Sequence, residues 1–253
     1  MNETKIDDNK HVGMIINADD FGRNQMINLA IIELLRTNRI HRTTIMVNMP
    51  CAEEALNLVR NNDMLDRVGL HLNLTSGYPL SKPILTTRFC NNGEFDSSQV
   101  MNRVRLCLTK KEREAILCEV QAQFDKYKML FGHYPKHVDS HRHVHGKFWF
   151  LSLIVKIAKK CGVESMRIGV NIYGKKKVGF MRKVYKFAIN SYIKHFFETT
   201  DYIGSWWNYS ECPDFTVGKT VEIMVHPIVK EGKIMDIVCI GDKEFFYDFD
   251  EIR

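Results

Sequence analysis

Short apolar runs of β type alternate with runs of helical apolar spacing along most of the chain. Residues 12–17 (VGMIIN) read as a buried strand. Residues 24–37 then place Met26, Ile27, Ala30, Ile31, Leu34 and Leu35 at the i, i+3, i+4 spacing of a helix. Residues 43–48 (TTIMVN) form a second strand, rich in β-branched side chains, and 50–60 a second helix with proline at its start. Residues 68–74 (VGLHLNL) are a third strand. The segment 75–109 breaks the rhythm with Gly77, Pro79, Pro83 and Asn91-Asn92-Gly93; it reads as a long loop insertion. The alternation resumes with an amphipathic helix at 110–131, a strand starting at 136–140, a helix at 147–161 and a strand at 164–170. A basic helical stretch fills 174–197, a strand edge follows at 201–204 and a seventh strand at 221–225 (VEIMV). The last thirty residues follow neither pattern.

Strand–helix alternation implies a parallel sheet, and its repetition here predicts an α/β fold, either a (β/α) barrel or an open doubly wound sheet. Absence of GxGxxG after a strand and of GxxxxGK[ST] removes support for nucleotide folds that bind through those loops. The length of 253 residues suits one domain, and 45% hydrophobic content gives ample material for a core. No apolar run reaches the roughly 18 residues needed to span a bilayer, so no membrane partner is expected. The polar start MNETKIDDNKH carries no apolar signal segment. Seven scattered cysteines, an odd number with no CxxC pair, argue against a disulfide framework and a cysteine zinc site; reduced thiols in a cytoplasm are expected. A net charge of +6 is too modest to indicate nucleic-acid binding.

Polar residues collect where the strands end. Asp19 and Asp20 follow the first strand, Asn48 closes the second, and His71 and Asn73 lie on the third. The fourth runs into His137, Asp139, His141, His143 and His145, the fifth holds Arg167, and His226 follows the seventh. Active sites of parallel α/β folds gather at those ends. Alternate residues of an extended strand share a face, but eight residues at about 3.3 Å each span roughly 26 Å. All five residues from 137 to 145 therefore cannot bind one ion. Asp139 and His141 can share a site, and a turn must bring His143 or His145 back to it. Mixed histidine and carboxylate ligands suit zinc or another divalent transition metal better than magnesium.

The segments NADDFG (17–22), TTIMVNMP (43–50), VGLHLNLT (68–75), HVDSHRHVH (137–145) and EIMVHP (222–227) together resemble the YdjC-type carbohydrate deacetylases, in order and spacing, over residues 12–228. The resemblance implies a distorted TIM-like barrel, here a single domain over 1–253 with insertions at about 75–109 and 174–197. It implies a divalent metal, Zn or Mg, held by Asp20, His71 and His141, with Asp19 as general base and His226 as acid/base histidine. The implied activity is removal of N-acetyl groups from short amino sugars such as chitooligosaccharides by metal-activated water. Asn48, Asn73, Asp139, His143, His145 and Arg167 complete the candidate set as substrate-binding residues. The expected partner is a small carbohydrate, with room for a homodimer. The insertion 75–109 follows the His71 strand and is expected to close over the site as a lid, with Tyr78, Trp206 and Trp207 as sugar-stacking rings. Three departures from the family stand out: Ile228 where a glycine usually follows the HP pair, a tail without the final helix pattern, and the basic stretch at 174–197. The competing readings are a phosphoesterase-like metal hydrolase on the same barrel and a non-catalytic carbohydrate-binding homologue.

Overall fold

The computed structural model describes residues 13–102, 107–211, 216–240, 243–250 and 252. Val12 of the first predicted strand, the polar start at 1–11 and Cys212 lie outside the described residues. The chain runs β1 (Met14–Phe21), α1 (Gln25–Arg36), β2 (Arg42–Ile45), α2 (Ala52–Asn61), then a 3-10 turn into β3 (Val68–Leu72). The insertion that follows holds α3 (Lys82–Leu85), β4 (Cys90–Asn91), β5 (Glu94–Phe95) and α4 (Ser97–Met101), and leads to the long α5 (Lys110–Phe131). Next come β6 (His137–Ser140), a 3-10 segment (His141–Gly146), α6 (Phe148–Lys160), β7 (Ser165–Met166), α7 (Phe180–Lys194), β8 (Tyr202–Ser205), α8 (Trp206–Ser210) and β9 (Val221–Val225). Three final strands, β10 (Pro227–Lys230), β11 (Lys233–Ile240) and β12 (Lys243–Asp248), replace a terminal helix.

Seven strands form one parallel sheet in the order β7-β6-β3-β2-β1-β9-β8. Read around the curl, this is the chain order of a barrel with a seam between β7 and β8. Backbone bonds cross that seam: Met166 N donates to Glu198 O, and Asn171 N and Ile172 N donate to Ile203 O. The fold is a distorted TIM-like barrel of seven strands. The strand expected at 164–170 shrinks to two residues because its continuation turns to bond the seam.

Helix ends follow local chemistry. Asn24 caps α1 by accepting from Ile27 N. Thr109 and Glu112 form a reciprocal capping box on α5, which ends at Gly132 with φ 83°, a left-handed conformation glycine adopts without penalty. The insertion packs outward against α5: Leu80 N and Ser81 N donate to the Glu119 carboxylate, and Ile84, Phe89, Phe95 and Val100 are buried. The tail sheet is pinned beside the barrel mouth, where Ile237 N donates to His226 O. Phe249 and Ile252 enter the core.

Candidate metal centre

Three side chains meet at the carboxyl ends of β1, β3 and β6. His141 Nδ1 lies 2.8 Å from Asp20 Oδ1, and His71 Nε2 lies 3.3 Å from the same oxygen. Ligand-type atoms of all three fall within 4.8 Å of one another. The backbone explains the convergence. The β1–β2 register shifts between Ala18 and Phe21, and Asp20 sits in that bulge at φ 68°. A left-handed aspartate costs about 1–3 kcal/mol, which the surrounding structure must offset. The bulge sends two consecutive carboxylates to different partners: Asp20 to the histidines, Asp19 to Arg167. Beyond His141 the chain kinks through Arg142 (φ 52°) and His143 (φ 53°). The extended HVDSHRHVH run therefore stops at Ser140. His141 stays at the rim, and neither His143 nor His145 returns to the Asp20 cluster.

Behind this cluster lies a sealed ionic network. Arg167 is 1% exposed. Its Nη1 and Nη2 donate to the two oxygens of Asp19 at 2.7 Å each, Nη2 also reaches Asp139 Oδ2 at 2.7 Å, and Nε donates to Glu222 Oε1 at 2.7 Å. Arg42 bonds the other Glu222 oxygen at 3.0 Å. Such a charge is tolerable in the interior only when fully paired. Burial alone would raise the Asp19 carboxyl, but the Arg167 charge and hydrogen bonds overcome it and hold it well below the usual range. Burial also opposes ionisation of Asp20, and the bonds from His141 and His71 outweigh it.

His71 links cluster and network. Its Nδ1 is 2.7 Å from Asp139 Oδ1, and Thr44 Oγ1 donates to Asp139 Oδ2 at 3.0 Å. With Nδ1–H given to Asp139, Nε2 is the nitrogen turned to Asp20, and it offers a lone pair to a metal once its proton is displaced. One carboxylate and two imidazoles, one of them oriented by a buried carboxylate, fit a divalent cation of the zinc type.

Asp20, His141, His143 and His226 open onto a cleft of about 740 Å³, walled also by Lys176, Trp207, Ile237 and Glu244. His226 Nε2 stands 3.9 Å from Asp19 Oδ2. The other expected substrate-binding residues are placed elsewhere. Asn73, Asp139, His145 and Arg167 are at most 1% exposed, and none lines the cleft. His145 bonds Ser140 Oγ at 2.6 Å; burial and the Arg167 charge push it down to about 3. Asn48 donates to Ser76 O and Tyr78 O, and Asn73 donates to Asn48 Oδ1, so the pair fastens the start of the insertion. Strand-end polarity is thus divided between a cleft and the supports beneath it.

No described residue of 75–109 lines the cleft, so the expected lid is corrected: the wall comes from β11, β12 and α8. The insertion buries its apolar side on α5, which draws it away from the mouth. Tyr78 is 63% exposed outside the cleft, and Trp206 packs on the core; only Trp207 of the three rings faces the cleft. Glu222, Arg42, Thr44 and Arg23, which bonds Asp20 Oδ2 at 2.9 Å, went unread in the sequence. The one signal for Glu222 was a charge inside an otherwise apolar strand.

A family model described as YdjC-like protein matches residues 13–244. The chain is 32% identical over 231 residues to a carbohydrate deacetylase of Clostridium beijerinckii, covering 88% of this chain and 84% of that one. It is 30% identical over 232 residues to a chitooligosaccharide deacetylase of Klebsiella pneumoniae, again covering 88% and 84%. Among solved structures, one from Enterococcus faecalis V583, described as a candidate cellobiose-phosphate cleavage protein, superposes with a TM-score of 0.64 at 22% identity. It covers 87% of this chain and 82% of that one.

Proposed function

This chain belongs to the YdjC-like family, and from that premise we propose that it is a metal-dependent carbohydrate deacetylase that removes N-acetyl groups from short amino sugars. The observation that carries the proposal is the Asp20–His71–His141 cluster, which opens through Asp20 and His141 onto a cleft that His226 also lines. Asp20, His71 and His141 would hold a divalent ion, zinc or magnesium. Such an ion supplies a polarised amide carbonyl and a water acidified from about 16 towards 7.

The chain's own residues do the rest. Asp19 accepts the proton of the attacking water. Arg167 keeps it ionised, and its Oδ2 lies 3.9 Å from His226 Nε2. His226, half-buried at the cleft edge, protonates the leaving amine. Asp139 holds the His71 ring, and Arg167 holds Asp19 and Asp139 in fixed relation. Acetate and a free amino sugar leave. A second reading is favoured by the same Arg167 contacts, because a carboxylate so paired has little proton affinity. In that reading His226 both takes and returns the proton, while Asp19 stabilises its charged ring.

The test is acetate release by the metal-loaded protein from N-acetylglucosamine, its disaccharide and polymeric chitin. Release from the short sugars supports the proposal. Phosphate released from sugar phosphates instead would make the protein a phosphoesterase. Saccharide binding without release of acetate would make it a non-catalytic homologue.

A further inference from the structure

An outer helix of a barrel turns its apolar stripe to the sheet and its polar side to water. Helix α7 also presents an apolar side to water. Ile189, Asn190 and Ile193 face the core. Phe180, Met181, Val184 and Phe187 are 76%, 76%, 45% and 74% exposed. At 3.6 residues per turn, Phe180, Val184 and Phe187 lie within about 60° of one another, on the side away from Ile189 and Ile193. Contiguous aromatic exposure of this kind marks a surface that is covered in use.

Charge identifies what covers it. From Ser165 to Phe197 the chain holds no acidic residue. Between 174 and 194 it holds seven cations: three consecutive lysines at 175–177, then Arg182, Lys183, Lys186 and Lys194. The whole chain carries +6, so the rest of it is net −1. A second copy seated face to face on this helix would set Lys183 and the lysine run at 175–177 against their own copies. An anionic lipid surface complements them, and its headgroup layer accommodates the aromatic stripe.

We propose that α7 docks the protein on an anionic bilayer. Phe180, Met181, Val184 and Phe187 enter the headgroup region, and the lysine run at 175–177 with Lys183 meets lipid phosphates. No helix among the described residues is long and apolar enough to cross a membrane, and a helix lying in the interface needs no such span. Lys176 belongs both to the basic run and to the cleft wall, so docking holds the cleft mouth near the bilayer surface. This inference is independent of the deacetylase reading.

The experiment is co-sedimentation with vesicles of mixed phosphatidylglycerol and phosphatidylcholine, and with phosphatidylcholine alone. The intact chain should pellet with the mixed vesicles at low salt and be released as salt rises. Phe180→Ser/Phe187→Ser should weaken binding by about tenfold or more. Lys177→Gln/Lys183→Gln should weaken it about 25-fold, at roughly fivefold per surface cation. All four positions are exposed, so both variants should melt like the parent. Failure to pellet with mixed vesicles at low salt overturns the proposal, as does equal pelleting with phosphatidylcholine alone or undiminished pelleting of the phenylalanine variant. A parent dimer that this variant converts to monomer also overturns it, because a second copy then covers the stripe. Vesicle binding is read without turnover, so a failed acetate assay leaves this test standing.

Discussion

His71 and Asp139 are register partners on adjacent strands, joined by a 2.7 Å contact between His71 Nδ1 and Asp139 Oδ1. The pairing fixes which imidazole nitrogen faces Asp20. Asp139→Asn keeps the size of the side chain but replaces a carboxylate acceptor with an amide. Metal affinity should fall about 10- to 100-fold, the usual effect of losing such a support. Chelator competition measures it. Unchanged affinity would mean that Asp139 serves only Arg167.

The same contact predicts proton release. Burial disfavours the charged His71 ring, but Asp139 and Asp20 outweigh it and push the pKa up to about 10. The metal-free site is therefore protonated at neutral pH, and a metal must displace that proton. Zinc binding at pH 7 should release about one proton, and apparent affinity should climb with pH up to about 10. Calorimetry in buffers of different ionisation enthalpy reads the number. Without metal, the raised pKa contributes stability that is fully present below 6.5 and lost as pH rises through about 10.

The bulge at Asp20 separates the roles of two adjacent aspartates. Asp19→Asn should retain metal and, if Asp19 takes the water proton, lose about 10²–10⁴ in kcat. Asp20→Asn should lose metal. Metal retained in the second variant and lost in the first would exchange the two assignments. A loss well under tenfold for Asp19→Asn, with metal intact, would favour His226 as the proton acceptor.

Asp236 supports His226 from behind. Its Oδ1 accepts from His226 N at 2.7 Å, while its buried Oδ2 has no hydrogen-bond partner among the described residues. Burial pushes its pKa up to about 6 despite the nearby His226. A carboxyl raised in the folded state favours folding below its ordinary value near 3.8, and that contribution is lost as pH rises through about 6. Two pKa units correspond to about 3 kcal/mol. Asp236→Asn keeps the acceptor for His226 N and removes the titration. Urea unfolding of the metal-free protein should show a shallower fall between pH 4 and 6 in the variant. Parallel curves would place the Asp236 charge in contact with water.

Much of this site was legible because parallel-sheet geometry gathers strand-end residues, so Asp20, His71 and His141 needed only their positions in the alternation. The sequence did not disclose which polar residues face outward. Asp139 and His141 are two apart and both reach the His71–Asp20 pair, yet one lies deep in the interior network and the other at the rim of the cleft, where the kink at Arg142 and His143 then ends the strand's period. Arg167 read as a substrate contact because a lone arginine near a strand end looks accessible; its partners Asp19 and Glu222 lie 148 and 55 residues away. The tail was unreadable for another reason. Strands β10 to β12 are an antiparallel addition without helical punctuation, and their place over the mouth depends on the contact of Ile237 N with His226 O.

That tail sets the last prediction. Trp207 faces the cleft, with Phe245 and Tyr247 of β12 behind it at ring separations of 6.3 and 5.7 Å. A ring backed by two others is held in place before a ligand arrives, so little side-chain freedom is lost on binding. Aromatic surface offered to a pyranose ring adds binding energy that is the same in ground and transition states, because it lies away from the scissile amide. Trp207→Ala should therefore raise KM for an acetylated disaccharide about tenfold while kcat stays within about twofold. Tyr78→Ala, outside the cleft, should change neither. Equal falls in kcat and kcat/KM for Trp207→Ala would instead mean that the ring positions His226 or the reacting amide. A KM effect from Tyr78→Ala would return the 75–109 insertion to the mouth of the barrel.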